Sequence, residues 1–305
     1  MTVSPGVVAP VPSRESARRA RWQDYLALTK PRIIELLLVT TVPVMFAAAG
    51  GSVAIDTLIA TVLGGALAAG GANALNCALD HDIDAHMQRT AHRATATGLV
   101  SPSRAAAFGG ALALTSVVLL AWAVNLLSAA LAAAAVLAYV GGYTMLLKRR
   151  TPSNIVWGGI AGCFPVLIGW SAVTGSLSWA AIALFLVVFF WTPPHYWPLS
   201  IKYREDYANA SVPMLGAVAE APVVCARIIN YTWATVVCSV AYGVLAGAGL
   251  VYGLTALVAG TWFLWEAYRL QRNLEPSQSA MRLFHVSISY LTVLFLAVGF
   301  DPFFG

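Results

Sequence analysis

The stretch "GGANALNCALDHDIDAHMQRTAHRA" (residues 70–94) opens as small, apolar sequence, then sets Asn76, Asp80, Asp82 and Asp84 within nine positions, with Arg89 and Arg93 just beyond. Its first half reads as the end of a membrane span, and the whole-chain composition settles the solvent. Of 305 residues, 59% are hydrophobic and 10% charged, and the mean hydropathy is +0.74. Such a chain lies outside the range of ordinary soluble domains. A spanning helix needs about 20 mostly apolar residues, and nine such runs are predicted: 33–50, 56–76, 105–124, 127–147, 155–174, 178–197, 223–245, 250–268 and 284–303. The runs are continuous rather than alternating, which excludes a β-barrel. The predicted fold class is all-α, a polytopic membrane protein of nine helices.

Working outward, the basic residues set an orientation. The connections after the odd-numbered helices ("GSVAI", "NLLS", "TGSLS", "AGAGL") and the terminal "DPFFG" lack Lys and Arg. All 18 basic residues fall in the N-terminal segment or in and beside the connections after helices two, four, six and eight. The positive-inside rule then predicts a cytoplasmic N-terminus and an outside C-terminus. The net charge of +5 is thereby a topological bias that also suits anionic lipid, and no nucleic-acid partner is expected. Residues 1–24 are predicted to be a disordered cytosolic tail: Pro5, Pro10 and Pro12 interrupt its apolar part and its arginines follow it, unlike a secretory signal. The same acid-poor character is shared by transit peptides. Residues 25–305 are expected to form one membrane domain. Cys77, Cys163, Cys225 and Cys238 have no paired spacing and are read as small hydrophobes.

The acidic stretch therefore lies at the cytosolic end of the second helix. Asn76, Asp80 and Asp84 are spaced i, i+4, i+8 and stack on one helix face, whereas Asp82 points elsewhere. A solvated helix end with incidental charge is the bland reading of any single one. Three oxygen-bearing side chains in register, followed by arginines, instead suit a hard ion such as Mg²⁺ together with phosphate oxygens. A second cluster, in "WTPPHYWPLSIKYREDYANASVPML", supplies His195, Lys202, Glu205 and Asp206. Lys202 and Asp206 follow Asp80 and Asp84 by 122 residues, which hints at an internal duplication. Continuous helix would put His195, Lys202 and Asp206 on one face, but Pro193, Pro194 and Pro198 favour a kink. Taken alone, His195 reads first as a hydrogen-bonded interfacial histidine. Lys148, Arg149 and Arg150 close the fourth helix on the same side; Lys30 and Arg32 open the first, where membrane-edge anchoring is the simpler reading.

Four segments carry a family resemblance: "LTKPRIIELLLVTT", "NALNCALDHDIDAHMQRTAHR", "YTMLLKRRTPSNIVWGGIAG" and "FFWTPPHYWPLSIKYREDYANASVPML". In this order they resemble the UbiA superfamily of intramembrane prenyltransferases, in the branch that farnesylates haem. The resemblance implies nine helices around a central cavity, in the cell (inner) membrane, with two acidic motifs facing each other at a cytoplasmic mouth. Farnesyl diphosphate would bind there through Mg²⁺, and the farnesyl group would pass to a vinyl group of haem b with addition of water, giving haem O and diphosphate. It implies catalytic roles for Asp80, Asp84, Lys202, Asp206 and His195, the last in haem ligation or proton handling. Diphosphate would be bound by Arg89, Arg93, Lys148, Arg149 and Lys202, and the metal by Asn76, Asp80, Asp84 and Asp206. Trp157, Trp170, Trp191, Tyr196 and Trp197 could flank cation or porphyrin. A haem A synthase or terminal oxidase would take up the product. The chain departs from the superfamily's Asn-Asp-x-x-Asp-x-x-x-Asp at Cys77 and from its Asp-x-x-x-Asp at Lys202, while His81 and Ser211 depart from the haem branch. Two other readings stand beside this one: a UbiA-type aromatic prenyltransferase, and a proton- or cation-coupled transporter.

Overall fold

The computed structural model describes residues 19–273 and 276–304, and the side chains of all of these except 276 and 277. Most of the expected tail lies outside the described residues, but Trp22, Gln23 and Asp24 form the first turn of a short helix, α1 (Trp22–Leu28). The Asp24 carboxylate accepts from the Arg21 backbone N–H at 2.7 Å and so starts it. The long helices follow: α2 (Pro31–Ala48), α3 (Ile55–Leu79), α5 (Pro102–Ala123), α9 (Trp179–Lys202), α12 (Ala221–Ala246), α13 (Leu250–Arg272) and α14 (Pro276–Phe300). Two spans are compound. α6 (Leu126–Leu137) continues as a π-helix over Ala138–Leu147, and α7 (Asn154–Gly158) joins α8 (Phe164–Thr174) through a 3₁₀ turn. Short helices α4 (His81–His86), α10 (Arg204–Asn209) and α11 (Leu215–Val218) lie in the connections.

Nine helices among the described residues are long and apolar enough to cross a membrane, and each overlaps a predicted span. Lipid offers no hydrogen bonds, so every backbone polar group must be paired within its own segment. The sequence starts these helices by local chemistry: Ser101, Asn125 and Ser178 cap α5, α6 and α9 by accepting from the N–H of Arg104, Ser128 and Ala181. Gly175 and Gly247, at φ 65° and 63°, end α8 and α12 in the left-handed conformation that favours glycine. The ninth helix starts two turns before its expected position. Pro193, Pro194 and Pro198 do not end α9 where the sequence suggested a break; it stays helical to Lys202. Neighbouring helices around a membrane segment tolerate the freed carbonyls.

α3 packs along α5, α9 along α12 and α14, and α2 lies against α3, α8 and α14, closing a ring. Close approach of α3 and α5 requires glycine: a Cβ on Gly71 would stand 2.7 Å from the Gly109 carbonyl oxygen, and Ser116 donates to the Gly64 carbonyl at 2.6 Å. The largest core joins α9, α12, α13 and α14 around Val187, Ile228, Phe263 and Tyr290. Outside the ring Leu114, Val118, Trp122, Val240, Leu254 and Leu257 are exposed, an apolar sheath suited to lipid. Cys77, Cys163 and Cys225 are buried and Cys238 half-buried, all with free thiols, as expected of small hydrophobes.

Candidate active site

α3 stops at Leu79, yet its hydrogen-bond register carries on. The Asp80 N–H donates to the Asn76 carbonyl at 2.9 Å and the Asp84 N–H to the Asp80 carbonyl at 2.8 Å. That continuity keeps the predicted stack of Asn76, Asp80 and Asp84, which are 3%, 0% and 1% exposed. Buried carboxylates need partners, and each has one. Asp80 Oδ2 accepts from Lys148 Nζ at 2.5 Å and from Asn76 Nδ2 at 2.7 Å. Asp84 Oδ2 accepts from Arg93 Nη1 at 2.7 Å. Burial opposes the Arg93 charge, but the Asp84 carboxylate outweighs it and the guanidinium is held above its ordinary value. Asp80 Oδ1 is buried without a hydrogen-bond partner, and Arg149 lies 3.7 Å from it.

Three participants were not read as site residues from the sequence. Lys30 donates to Asn76 Oδ1 at 2.9 Å from the start of α2, with its backbone in the left-handed region at φ 53°. Burial lowers its ammonium to about 8. Thr144 Oγ1, on the π-helix, accepts from Asn76 Nδ2 at 3.1 Å. The π-winding brings the Lys148 N–H to the Tyr143 carbonyl at 2.8 Å, and such winding recurs at functional sites. Asn73, one turn before Cys77, is buried, donates to the Thr29 carbonyl at 3.0 Å and lines the cavity below. All three fall within segments that carry the family resemblance, which was their sequence signal, although Lys30 was read there as a membrane-edge anchor.

That cavity, about 240 Å³, lies inside the ring and is overwhelmingly apolar. Leu37 and Ile34 of α2, Ala69 of α3, Tyr139 and Tyr143 of the π-helix and Trp191, His195 and Tyr196 of α9 line it. Tyr139 and Tyr143 stack at 5.7 Å and 23° on the wall that also carries Thr144 and Lys148. Gly158 leaves room there: a Cβ would fall 2.2 Å from the Tyr143 ring. Of the five aromatics named from sequence, Trp191 and Tyr196 line the cavity. Trp197 is packed in the core against Tyr231, Trp170 packs on the same core, and Trp157 is exposed.

The second cluster approaches the first through apolar contact. Ile83 and Met87 from the α4 segment pack with Ile155, Tyr207, Val212 and Met214. Ile83 precedes Asp84 and Tyr207 follows Asp206, so this apolar cluster holds the two acidic segments near each other. Their charged ends are unlike. Lys202 is exposed, its Nζ 5.4 Å from the Tyr203 ring, and Asp206 is half-buried with no ion pair among the described residues. The face once drawn through His195, Lys202 and Asp206 is interrupted at Tyr203, where α9 gives way to α10. His195 instead belongs to the cavity wall. Arg89 is exposed without an ion pair among the described residues, and Arg149 chiefly grips Asp82, at 2.7 and 2.8 Å, holding that carboxyl down at about 2. No cluster of three or more His, Cys, Asp or Glu able to hold a metal occurs among the described residues. Asn76, expected to offer oxygen to a metal, gives that oxygen to Lys30.

The UbiA prenyltransferase family model matches residues 37–288, and the chain belongs to that family. A Pseudarthrobacter chlorophenolicus protein named protoheme IX farnesyltransferase is 54% identical over 293 residues, covering 95% of this chain and 91% of that one. A solved structure described as giving insights into digeranylgeranylglyceryl phosphate synthase in membranes superposes with TM-score 0.73 at 15% identity, covering 92% of this chain and 98% of that one. An Archaeoglobus fulgidus UbiA homologue solved with GPP and Mg²⁺ gives 0.61 at 15% identity, covering 90% and 99%.

Proposed function

We propose that the chain transfers the farnesyl group of farnesyl diphosphate to a vinyl group of haem b, giving haem O and diphosphate. The observation that carries it is a buried carboxylate oxygen without a hydrogen bond, Asp80 Oδ1, on a carboxylate held by Lys148 and Arg149, with Arg93 on neighbouring Asp84 and Lys30 on Asn76, beside an aromatic-walled apolar cavity. That donor set fits Mg²⁺, which takes one or two carboxylates and completes its shell with water and substrate phosphates. Asp80 and Asp84 would hold the ion, with Asp206 reaching it from the facing segment. Asn76 acts by orienting Asp80. When bound, Mg²⁺ neutralises charge on the departing diphosphate.

Arg93, Lys148, Arg149, Lys30, Arg89 and Lys202 bind the diphosphate oxygens, the last two from exposed positions at the rim. The allylic C–O bond breaks with its electron pair leaving on diphosphate. Tyr139, Tyr143 and Trp191 face the allylic cation and exclude water from it. The haem vinyl carbon then attacks the farnesyl carbon, and water adds to the new cation and loses a proton, giving the hydroxyethylfarnesyl group. His195 is the residue of the wall suited to hold the iron or that proton. The Lys and Arg distribution supports a cytoplasmic mouth and N-terminus and an outside C-terminus, and the family resemblance supports one inner-membrane domain over 25–305. A haem A synthase or terminal oxidase would take the product.

The test is incubation of purified protein with farnesyl diphosphate, haem b and Mg²⁺, followed by pigment mass spectrometry. Farnesylated, hydrated haem is expected. Prenylation of an aromatic acid with haem untouched would overturn the acceptor assignment. The transporter reading gains nothing from the charge placement, because Asp80 and Asp84 lie at a helix end rather than at mid-span.

A further inference from the structure

The cavity wall contains a hydrogen-bond chain that fixes which nitrogen of His195 carries a proton. Ser287 of α14 meets α9 twice: its carbonyl accepts from Trp191 Nε1 at 2.7 Å, and its hydroxyl lies 2.8 Å from His195 Nδ1. The same hydroxyl lies 2.6 Å from the Phe284 carbonyl oxygen. A carbonyl only accepts, so that short approach places the one hydroxyl hydrogen of Ser287 on Phe284. Toward His195 the serine oxygen can then only accept. Nδ1 must therefore be the N–H nitrogen of the neutral ring, which leaves Nε2 with the lone pair.

The ring is also immobilised. It is stacked on Trp191 at 4.2 Å and 15° and on Phe284 at 4.6 Å and 24°, with Tyr196 edge-on at 5.0 Å. Ser287 is fully buried and His195 is 6% exposed, on the cavity wall. Nε2 has no protein partner among the described residues. A rigid neutral imidazole with one nitrogen tied to a hydroxyl and the other free is the arrangement in which proteins hold metal-ligating histidines.

We propose that Ser287 is a positioning residue, which locks His195 in the Nδ1–H form so that Nε2 ligates the iron of the haem acceptor. The proposal rests on the haem reading given above. It names one residue pair, on helices joined by nothing local in sequence, as the determinant of acceptor pose.

The probe is ferric haem b titrated into purified full-length protein, read by its Soret band and electron paramagnetic resonance. Wild type is expected to show a histidine-ligated spectrum that His195→Gly loses and added imidazole restores. Ser287→Ala, which deletes only the acceptor, should weaken haem affinity by about 10- to 100-fold, the usual cost of removing such a supporting partner. The KM for farnesyl diphosphate should stay at the wild-type value in Ser287→Ala, because the diphosphate end is built from other helices. Ser287→Thr, which keeps the hydroxyl, should recover the spectrum. Wild-type affinity and spectrum in Ser287→Ala overturn the positioning role, and so does a wild-type spectrum in His195→Gly. Both of these leave farnesyl transfer to haem b standing if that product still forms. A His195-dependent spectrum in a wild-type protein that forms no farnesylated haem instead overturns the transfer reading and supports the ligation.

Discussion

The segments after α3 and after α9 sit at corresponding places in the chain, 122 residues apart, and have been treated oppositely by the fold. After α3, Asp80 and Asp84 are sealed from solvent and each is paired with a cation from a distant segment or loop. After α9, Lys202 is exposed and Asp206 half-buried without an ion pair among the described residues. The difference teaches that equal spacing fixes position along a helix, whereas environment comes from what packs on top. The first segment is a preassembled charge network, fixed before substrate arrives. The second is more open, and it is joined to the first through Ile83, Met87, Tyr207 and Val212.

The largest expected effect lies on the sealed side. Each unit charge at 4 Å is worth about 4 kcal/mol at an effective dielectric near 20, so Asp80→Asn should lower kcat by roughly a thousandfold. EDTA should abolish farnesyl transfer and Mg²⁺ restore it. Steady-state rates check both, and a loss no greater than that of Asp206→Asn would erase the asymmetry.

Next comes stability. Arg93→Ala strands the buried Asp84 charge, which costs about 3–5 kcal/mol, while Lys202→Ala should leave the thermal midpoint unchanged and raise the KM for farnesyl diphosphate. Equal midpoints for the two variants would show that the first network is no more prebuilt than the second. The tether is sharpened by Ile83→Ala, expected to destabilise by about 2–5 kcal/mol. Its denaturant midpoint combined with that of Tyr207→Leu should reveal a coupling of about 0.5–3 kcal/mol; strict additivity would separate the segments. The smallest effect belongs to Arg149→Ala. Its main partner, Asp82, has a half-exposed side chain (51%), so the pair contributes about 0.2–1 kcal/mol, and a larger midpoint shift would mean that the 3.7 Å contact to Asp80 matters more.

Much of this was legible beforehand. The nine spans followed from apolar run length, and the stack of Asn76, Asp80 and Asp84 followed from helical period, which the i to i+4 bonds preserve across the end of α3. The prolines of α9 were misjudged because a rule drawn from exposed helices ignores neighbours that accommodate freed carbonyls. Lys30 was read as a membrane-edge anchor and Thr144 was passed over, because their partner Asn76 is 46 and 68 residues away and no local pattern announces such a pairing. The π-winding over Ala138–Leu147 likewise has no periodic signature in an evenly apolar run.

Sequence by itself determined that this chain lives in lipid as nine helices with its basic residues gathered at alternate connections. A bilayer leaves the backbone no other way to pair its polar groups. Only the tertiary structure decided which cation neutralises which carboxylate, which aromatics face the hollow and which atom of His195 is free. Those choices depend on packing between helices far apart in the chain.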